Sequence, residues 1–376
     1  MKQIYLDQAA TSWPKPEVVK KTVLLALEQS GNPGRSGHSL SLDAARLIHQ
    51  ARHAVAKFFN APSSSQIVFT LNATDALNMA IKGMVRPGDH VITTCLEHNS
   101  VLRPLYALRN AGKIELTVLG LQGGTVQPEQ FAKAIRPETA MVATTHASNV
   151  TGAIIDIAAV SQICSDRGVK LLLDAAQSAG VLPIDVQTLN LAAMACSGHK
   201  SLLGPQGTGV LYVRPDVELA FWREGGTGSI SHEVHQPTFM PDRLEAGTPN
   251  TIGIAGLGAS VEYLSQIGMD VVRTREAALT EQLRAGLKQV PGLTLYTPDS
   301  SMGVFSVALE GFDSAELAMA LEREYGILTR PGLHCAPLAH QALGTYPHGT
   351  TRISVGYATT EAEVEAAIEA LMELAR

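Results

Sequence analysis

Short apolar runs of strand length alternate with amphipathic stretches of helical period through the middle of the chain. Gln66–Thr70, His90–Thr94, Ile114–Leu119, Met141–Thr145, Lys170–Leu173 and Gly209–Val213 are apolar or β-branched and predict strands. Between them the pattern predicts helices over about Thr74–Lys82, Ser100–Ala111 and Asp156–Arg167. This alternation implies a mostly parallel sheet with helices on both faces. Ligands of such sheets bind beyond the carboxyl ends of the strands. The loops at Asn72, Glu97, Ser148, Asp174 and Ser197 are therefore the candidate site.

The C-terminal third changes character. A helical pattern runs from Ile254 to about Val290, broken near Gly268. A strand at Val304–Leu309, a helix at Ser314–Tyr325, a strand at Thr351–Val355 and a helix at Glu361–Leu374 follow. The expected organisation is a large domain over 17–262 and a smaller α/β domain built from 1–16 and 263–376. With 376 residues, 45% of them hydrophobic, the chain is long enough for two such cores. Net charge is −6 and no Lys/Arg run forms a nucleic-acid footprint. No apolar stretch reaches the ~20 residues of a membrane span, and Met1–Asp7 has no signal-peptide core, so a cytoplasmic protein is expected. The four cysteines, Cys95, Cys164, Cys196 and Cys335, form neither a disulfide framework nor a zinc motif, and no metal is expected. Cys95, Cys164 and Cys196 read as small buried hydrophobes.

The most informative segment is the small-residue turn presenting Ser197, His199 and Lys200 just after an apolar run. Upstream, the buried-strand pattern Leu171–Leu173 ends in Asp174. A strand-end acid with a later Ser-x-His-Lys is what a pyridoxal 5′-phosphate site needs. The amine forms a Schiff base, and the carboxylate keeps the ring nitrogen protonated so that the ring accepts electrons. Asn72, Ala73 and Thr74 open a helix after a strand, either as an ordinary N-cap or as a phosphate seat, to which Ser197 and His199 add donors. His98, just past a strand end, is placed to stack on a cofactor ring and carry protons. Asn149 and Gln177 offer neutral polar groups for a phenolic oxygen or a substrate carboxylate.

Two further residues stand out. Cys335 lies in a turn-rich loop between Arg330 and Pro337, where positive charge on Arg330 and His334 would favour its thiolate. Arg352 is a lone guanidinium in an apolar strand pattern and wants a carboxylate, from an internal salt bridge or from a substrate.

Together these segments resemble the class V aminotransferase family of fold-type I pyridoxal-phosphate enzymes, in particular its cysteine desulfurase/selenocysteine lyase branch. The similarity covers nearly the whole chain. It is carried by Tyr5–Thr11, Gly34–His38, Ala73–Asp75, Glu97–His98, Ser148–Val150, Asp174–Gln177, Ser197–Lys200, Glu245–Asn250, Arg330–Pro337 and Arg352. The resemblance implies that Lys200 is the Schiff-base lysine, Asp174 the ring-nitrogen partner, His98 the stacking residue and Gln177 the contact to the phenolic oxygen. It implies phosphate binding by Thr74, Ser197 and His199. Where relatives often have Thr, Ala73 offers only its backbone. Thr248 would reach the phosphate of a second subunit, which implies a homodimer. Arg352, Arg330 and Asn149 would hold the substrate carboxylate, and Cys335 would carry sulfur as a persulfide on a short loop. The implied reaction converts L-cysteine to L-alanine, with an acceptor protein taking the sulfur. The alternatives are L-selenocysteine as substrate, or a C–S lyase or aminotransferase that does not use Cys335.

Overall fold

The computed structural model describes residues 3–34 and 37–376. Arg35 and Ser36, within one motif of the resemblance, lie outside the described residues. In chain order the elements are β1 (Ile4–Tyr5), α1 (Glu17–Gln29), α2 (Ser39–Phe58), β2 (Ile67–Thr70), α3 (Ala73–Met84), β3 (Asp89–Thr94) and α4 (Asn99–Asn110). Then come β4 (Ile114–Leu119), α5 (Pro128–Ala134), β5 (Thr139–Thr145), α6 (Ile157–Asp166), β6 (Lys170–Asp174), β7 (Ala193–Ser197) and β8 (Gly209–Val213). The last part contains α7 (Thr251–Ile267), α8 (Met269–Leu287), β9 (Leu293–Leu295), β10 (Val304–Leu309), α9 (Ser314–Tyr325), β11 (Ile327–Leu328), β12 (Arg330–Gly332), α10 (Pro337–Leu343), β13 (Thr350–Ser354) and α11 (Glu361–Leu374). The strands and helices read from periodicity are all present, with ends shifted by a few residues. Gly268, at φ 90°, breaks the long helix into α7 and α8 in a conformation that disfavours other residues. Two further helices, α1 and α2, lie where periodicity left the chain unassigned.

Why the central strands are continuous apolar runs is clear from their burial. β7 and β8 are buried at every position, and β6 at all but its first. Such strands need cover on both faces. Residues of α2, α6 and α7 pack on one face, and residues of α3 and α4 on the other. The sheet has seven strands in the order β2-β8-β7-β6-β5-β3-β4. The β4–β3, β3–β5, β5–β6 and β6–β7 pairs are parallel, and the β7–β8 and β8–β2 pairs are antiparallel.

This order locates the site. From β3 the chain crosses to β4 on one side, then returns to β5 on the other, so the topological switch lies between β3 and β5. A crevice opens where strand order reverses. The ends of β3 and β5 carry Glu97–His98 and Thr145–Asn149, and neighbouring β6 ends in Asp174.

A second sheet, β12-β13-β10-β9, is antiparallel and has its own apolar cluster with side chains from α8, α9 and α11. β1 pairs in parallel with β11, and Asp7 bridges Ser354 at the end of β13. The N-terminal segment thereby runs from this sheet to the crevice. No helix among the described residues is long and apolar enough to cross a membrane.

Candidate active site

Residues from eight separate parts of the chain line one cavity of about 230 Å³. They include Ala73, Thr74, His98, Asn149, Asp174, Gln177, Ser197, His199, Lys200, Arg330 and Arg352. Two of the expected residues lie elsewhere. Cys335 opens onto an adjoining groove that shares Thr74, His98 and Ser100 with the cavity. Thr248 is exposed and lines a separate groove with Asp75 and Arg223.

Lys200 sits in the turn after β7 and forms no ion pair among the described residues. Burial pulls its amine down to about 8, Asp174 opposes that shift, and Arg352 and Arg330 reinforce it. Asp174 closes β6 and is 4% exposed. Its Oδ1 accepts the Ala176 N–H at 2.9 Å. Burial raises its carboxyl, against the pull of that hydrogen bond and of Lys200.

Asn72 is the N-cap of α3, with its side chain accepting the Asp75 N–H at 2.9 Å. The ordinary N-cap reading is thus present, and Asn72, Ala73 and Thr74 also line the cavity. First-turn N–H groups lack intrahelical acceptors, which suits them to an anion. Gly209 lets β8 pass this loop, because a Cβ there would lie 2.4 Å from the Asn72 carbonyl carbon. His199 Nδ1 is buried without a partner. The His199 carbonyl accepts from Ser12 N (2.9 Å), Lys15 Nζ (2.9 Å), and Thr11 and Ser12 hydroxyls (each 3.1 Å), which fixes the peptide before Lys200.

His98 is the N-cap of α4. Its Nδ1 accepts the Ser100 N–H at 3.1 Å, so the neutral ring carries its proton on Nε2. Ser100 Oγ lies 2.7 Å from that Nδ1 and 2.7 Å from Thr74 Oγ1, linking the imidazole to the first turn of α3. Burial, then the charges of Lys200 and Arg330, lower the imidazole to about 4. Gln177 donates to the Ala9 carbonyl at 3.1 Å.

Arg330 and Arg352 are direct cross-strand partners on β12 and β13. Like charges so placed repel and favour an anion between them. Arg352, 1% exposed, is held by Asp7 Oδ1 at 2.6 Å and by the Asn149 carbonyl at 3.1 Å. Of the two readings the sequence left for Arg352, the internal salt bridge is therefore present, and its Nε remains buried and unpartnered. Arg330 forms no ion pair among the described residues. Asp7→Ala strands a buried guanidinium, and we expect a loss of about 3 kcal/mol in urea unfolding, the low end for a broken buried pair. Asp7 is 19% exposed, which sets that lower figure. A loss below about 1 kcal/mol would assign the pair to the weak surface class.

Cys335 is the one exposed cysteine; Cys95, Cys164 and Cys196 are buried as expected. His334 and Cys335 both adopt left-handed backbone, at φ 49° and 59°, which costs non-glycine residues about 1 kcal/mol or more each. Three bonds hold the loop there. His334 Nε2 lies 2.9 Å from the Arg330 carbonyl, Asn149 Nδ2 donates to the His334 carbonyl at 2.6 Å, and Asn99 N donates to the Cys335 carbonyl at 2.7 Å. One expectation needs correction. His334 is buried and its ring is lowered to about 3, chiefly by desolvation and then by Arg352, so it is neutral and brings no positive charge to the thiol.

These titrations set the pH response of the cofactor-free protein. His98, His146, His199 and His340 are lowered to about 4 and His334 to about 3 from 6.5. The unfolded chain binds more protons at these rings as pH falls from 6.5 to about 4, so stability falls with it. Glu97 and Glu276 are raised from 4.5 to about 8, and they weaken the fold as pH rises between those values. The five rings outweigh the two carboxyls where the ranges overlap. Between about pH 4 and 8, where these groups titrate, a thermal midpoint highest near pH 6.5 is expected in a series of melts; a maximum at or below about pH 5 in that range would mean that the histidines are not held neutral.

The fold and cavity invite comparison with known proteins. The family model described as Aminotransferase class-V matches residues 4–367. The chain belongs to that family. A probable cysteine desulfurase of Methanothermobacter thermautotrophicus is 36% identical, with 99% of this chain and 94% of the relative aligned. The apo structure of a cysteine desulfurase from Thermococcus onnurineus superposes with a TM-score of 0.93 at 32% identity, covering 99% of this chain and 94% of that one. A cysteine desulfurase from Escherichia coli, solved in an S-sulfonic acid form, gives a TM-score of 0.88 at 30% identity over 99% of this chain and 95% of its own. The fold-type I α/β architecture expected from the sequence is thus the one found.

The cavity's donor set fits pyridoxal 5′-phosphate. A helix N-terminus and the unpartnered His199 Nδ1 suit the phosphate, Asp174 the ring nitrogen and Lys200 the aldehyde. Sequence reasoning missed Asp7, Ala9, Thr11, Ser12 and Lys15 as supports of the site. The motif Tyr5–Thr11 was visible, but its contacts lie up to 345 positions away in sequence.

Proposed function

We propose that this protein is a pyridoxal 5′-phosphate-dependent cysteine desulfurase that converts L-cysteine to L-alanine and passes the sulfur to Cys335. The observation that carries this reading is the exposed Cys335 in a clamped loop, whose groove shares Thr74, His98 and Ser100 with the cavity of Lys200 and Asp174. The relatives' shared activity supports it.

When bound, the cofactor supplies an electron sink that acidifies the substrate Cα–H and loosens its Cβ–S bond. The chain's own groups do the rest. Ala73 and Thr74 N–H, Ser197 and His199 would bind the phosphate, and Asp174 would hold the proton on the ring nitrogen. His98, a neutral imidazole, would lie against the ring, and Gln177 would meet the phenolic oxygen. Arg330 and Arg352, with Asn149, hold the α-carboxylate. Lys200 Nζ takes the proton from Cα. The Cys335 thiolate attacks the substrate sulfur; an S–S bond forms as Cβ–S breaks, and the electron pair on carbon picks up protons to leave alanine. Cysteine plus the Cys335 thiol thus balances alanine plus the Cys335 persulfide, with no external oxidant.

On this reading the chain divides into the two domains expected from the sequence. Thr248 serves the phosphate of a second copy in a homodimer, an acceptor protein takes the persulfide, and four free cysteines fit a cytoplasmic setting. The test is turnover of L-cysteine by cofactor-loaded protein with dithiothreitol. Alanine and sulfide in equal amounts support the reading. Pyruvate with sulfide would replace it by a C–S lyase, and a keto acid product by an aminotransferase.

A further inference from the structure

Glu97 follows β3, immediately precedes His98, and has no role in the reading above. It is 0% exposed. Its Oε1 accepts the Thr94 hydroxyl at 2.7 Å and the Thr145 N–H at 2.9 Å. Its Oε2 is buried without a partner. No ion pair among the described residues includes it. An ionised carboxylate so enclosed, with no cation and one bare oxygen, is strongly disfavoured.

The two donors define what the carboxyl joins. Thr94 ends β3 and Thr145 ends β5, the two strands that flank the switch point. Thr145 is also the register partner of Asp174 on β6. One oxygen therefore ties together the strand ends from which His98 and Asp174 reach the cavity.

We propose that Glu97 is a positioning residue acting as a neutral acid: it joins β3 and β5 beneath the cavity, and so sets His98 and Asp174, without adding a second negative charge beside Asp174. The charged and titratable groups around it agree. Burial raises its carboxyl to about 8, the hydrogen bonds from Thr94 and Thr145 oppose that, and Asp174 reinforces it. On the neighbouring turn, the Cys95 thiol is pushed up to about 11, chiefly by burial. A neutral Glu97 leaves Asp174 as the one anion available to a cationic ring nitrogen.

This inference rests on the cavity being a pyridoxal-phosphate site, and its test separates the two. Wild type, Glu97→Gln and Glu97→Ala are stripped of cofactor and titrated with pyridoxal 5′-phosphate. The dissociation constant, the pH midpoint of the bound cofactor's visible band, and the thermal midpoint are read. Glutamine keeps an acceptor for Thr94 and Thr145 and adds no charge. Its affinity should stay within about threefold of wild type, with an unmoved pH midpoint. Alanine leaves two buried donors unpaired, and cofactor affinity should fall about 10- to 100-fold. A displaced pH midpoint in Glu97→Gln, or affinity as poor as that of Glu97→Ala, overturns the neutral-acid claim. Wild-type affinity in Glu97→Ala overturns the positioning claim. Should Glu97→Ala not fold, the Glu97→Gln midpoint alone decides. Wild type that fails to bind the cofactor at all overturns the reading of the cavity instead.

Discussion

Cys335→Ala is expected to lower sulfur release from L-cysteine by about a thousandfold or more while leaving the cofactor's visible absorbance unchanged. Removing a nucleophile that no neighbour replaces has an effect of this order. Replacement from within the chain is blocked here, because Cys95, Cys164 and Cys196 are all buried. Desolvation pushes the Cys95 thiol up to about 11 and the Cys164 thiol to about 12, so neither supplies a thiolate at neutral pH. The cofactor should be untouched, since Cys335 lines the groove and not the cavity. The substitution also keeps the left-handed backbone and the Asn99 N–H bond to the residue 335 carbonyl. The check is parallel measurement of alanine, sulfide and the visible spectrum. Turnover within about tenfold of wild type would remove Cys335 from the reaction.

Lys200→Met should lose both turnover, by about ten-thousandfold, and covalent capture of the cofactor by borohydride. Lys200 is partly enclosed and forms no ion pair among the described residues, and desolvation lowers its amine to about 8. A substantial neutral fraction near that pH is what a nucleophile and proton acceptor need. The same enclosure makes the ammonium costly to the folded chain. The unfolded chain binds the extra proton between about pH 8 and 10.5, so wild-type stability rises with pH across that window and carries the full cost below it. Methionine has a similar volume and no charge. The cofactor-free Lys200→Met protein should therefore melt no lower than wild type at pH 7. A lower midpoint with intact borohydride capture would place the amine's role elsewhere.

Much of this site is legible in the sequence alone, for physical reasons that differ between residues. Asp174 and Lys200 stand out because each is a charge at the end of an apolar run, where a buried strand meets a ligand edge. The β5 and β6 strands are legible because burial on both faces leaves no polar alternation. Helices α1 and α2 are not. Leu24, Leu25 and Leu27 on α1 and Leu40 and Leu42 on α2 are exposed, while Arg52 on α2 is buried against Glu245, which blurs the apolar stripe. The order of β2 and β8 at the antiparallel edge has no local signal, because pairing between residues as distant as Ile67 and Tyr212 is decided by packing. The neutrality of His334 is hidden for a related reason. Its sequence neighbours include a cation and a thiol, but its burial against His340, whose ring centroid lies 5.5 Å away, sets its charge. Asp7, paired with Arg352 from the opposite end of the chain, is legible only as part of a motif without a partner.

The most direct test of the account is the mass of the peptide carrying Cys335 after cofactor-loaded protein is mixed with L-cysteine, without reductant, and quenched. The account predicts one added sulfur atom on Cys335, removable by dithiothreitol, with one alanine formed for each Cys335 so modified. Alanine formed with Cys335 unmodified, or sulfur found on another cysteine, would contradict it.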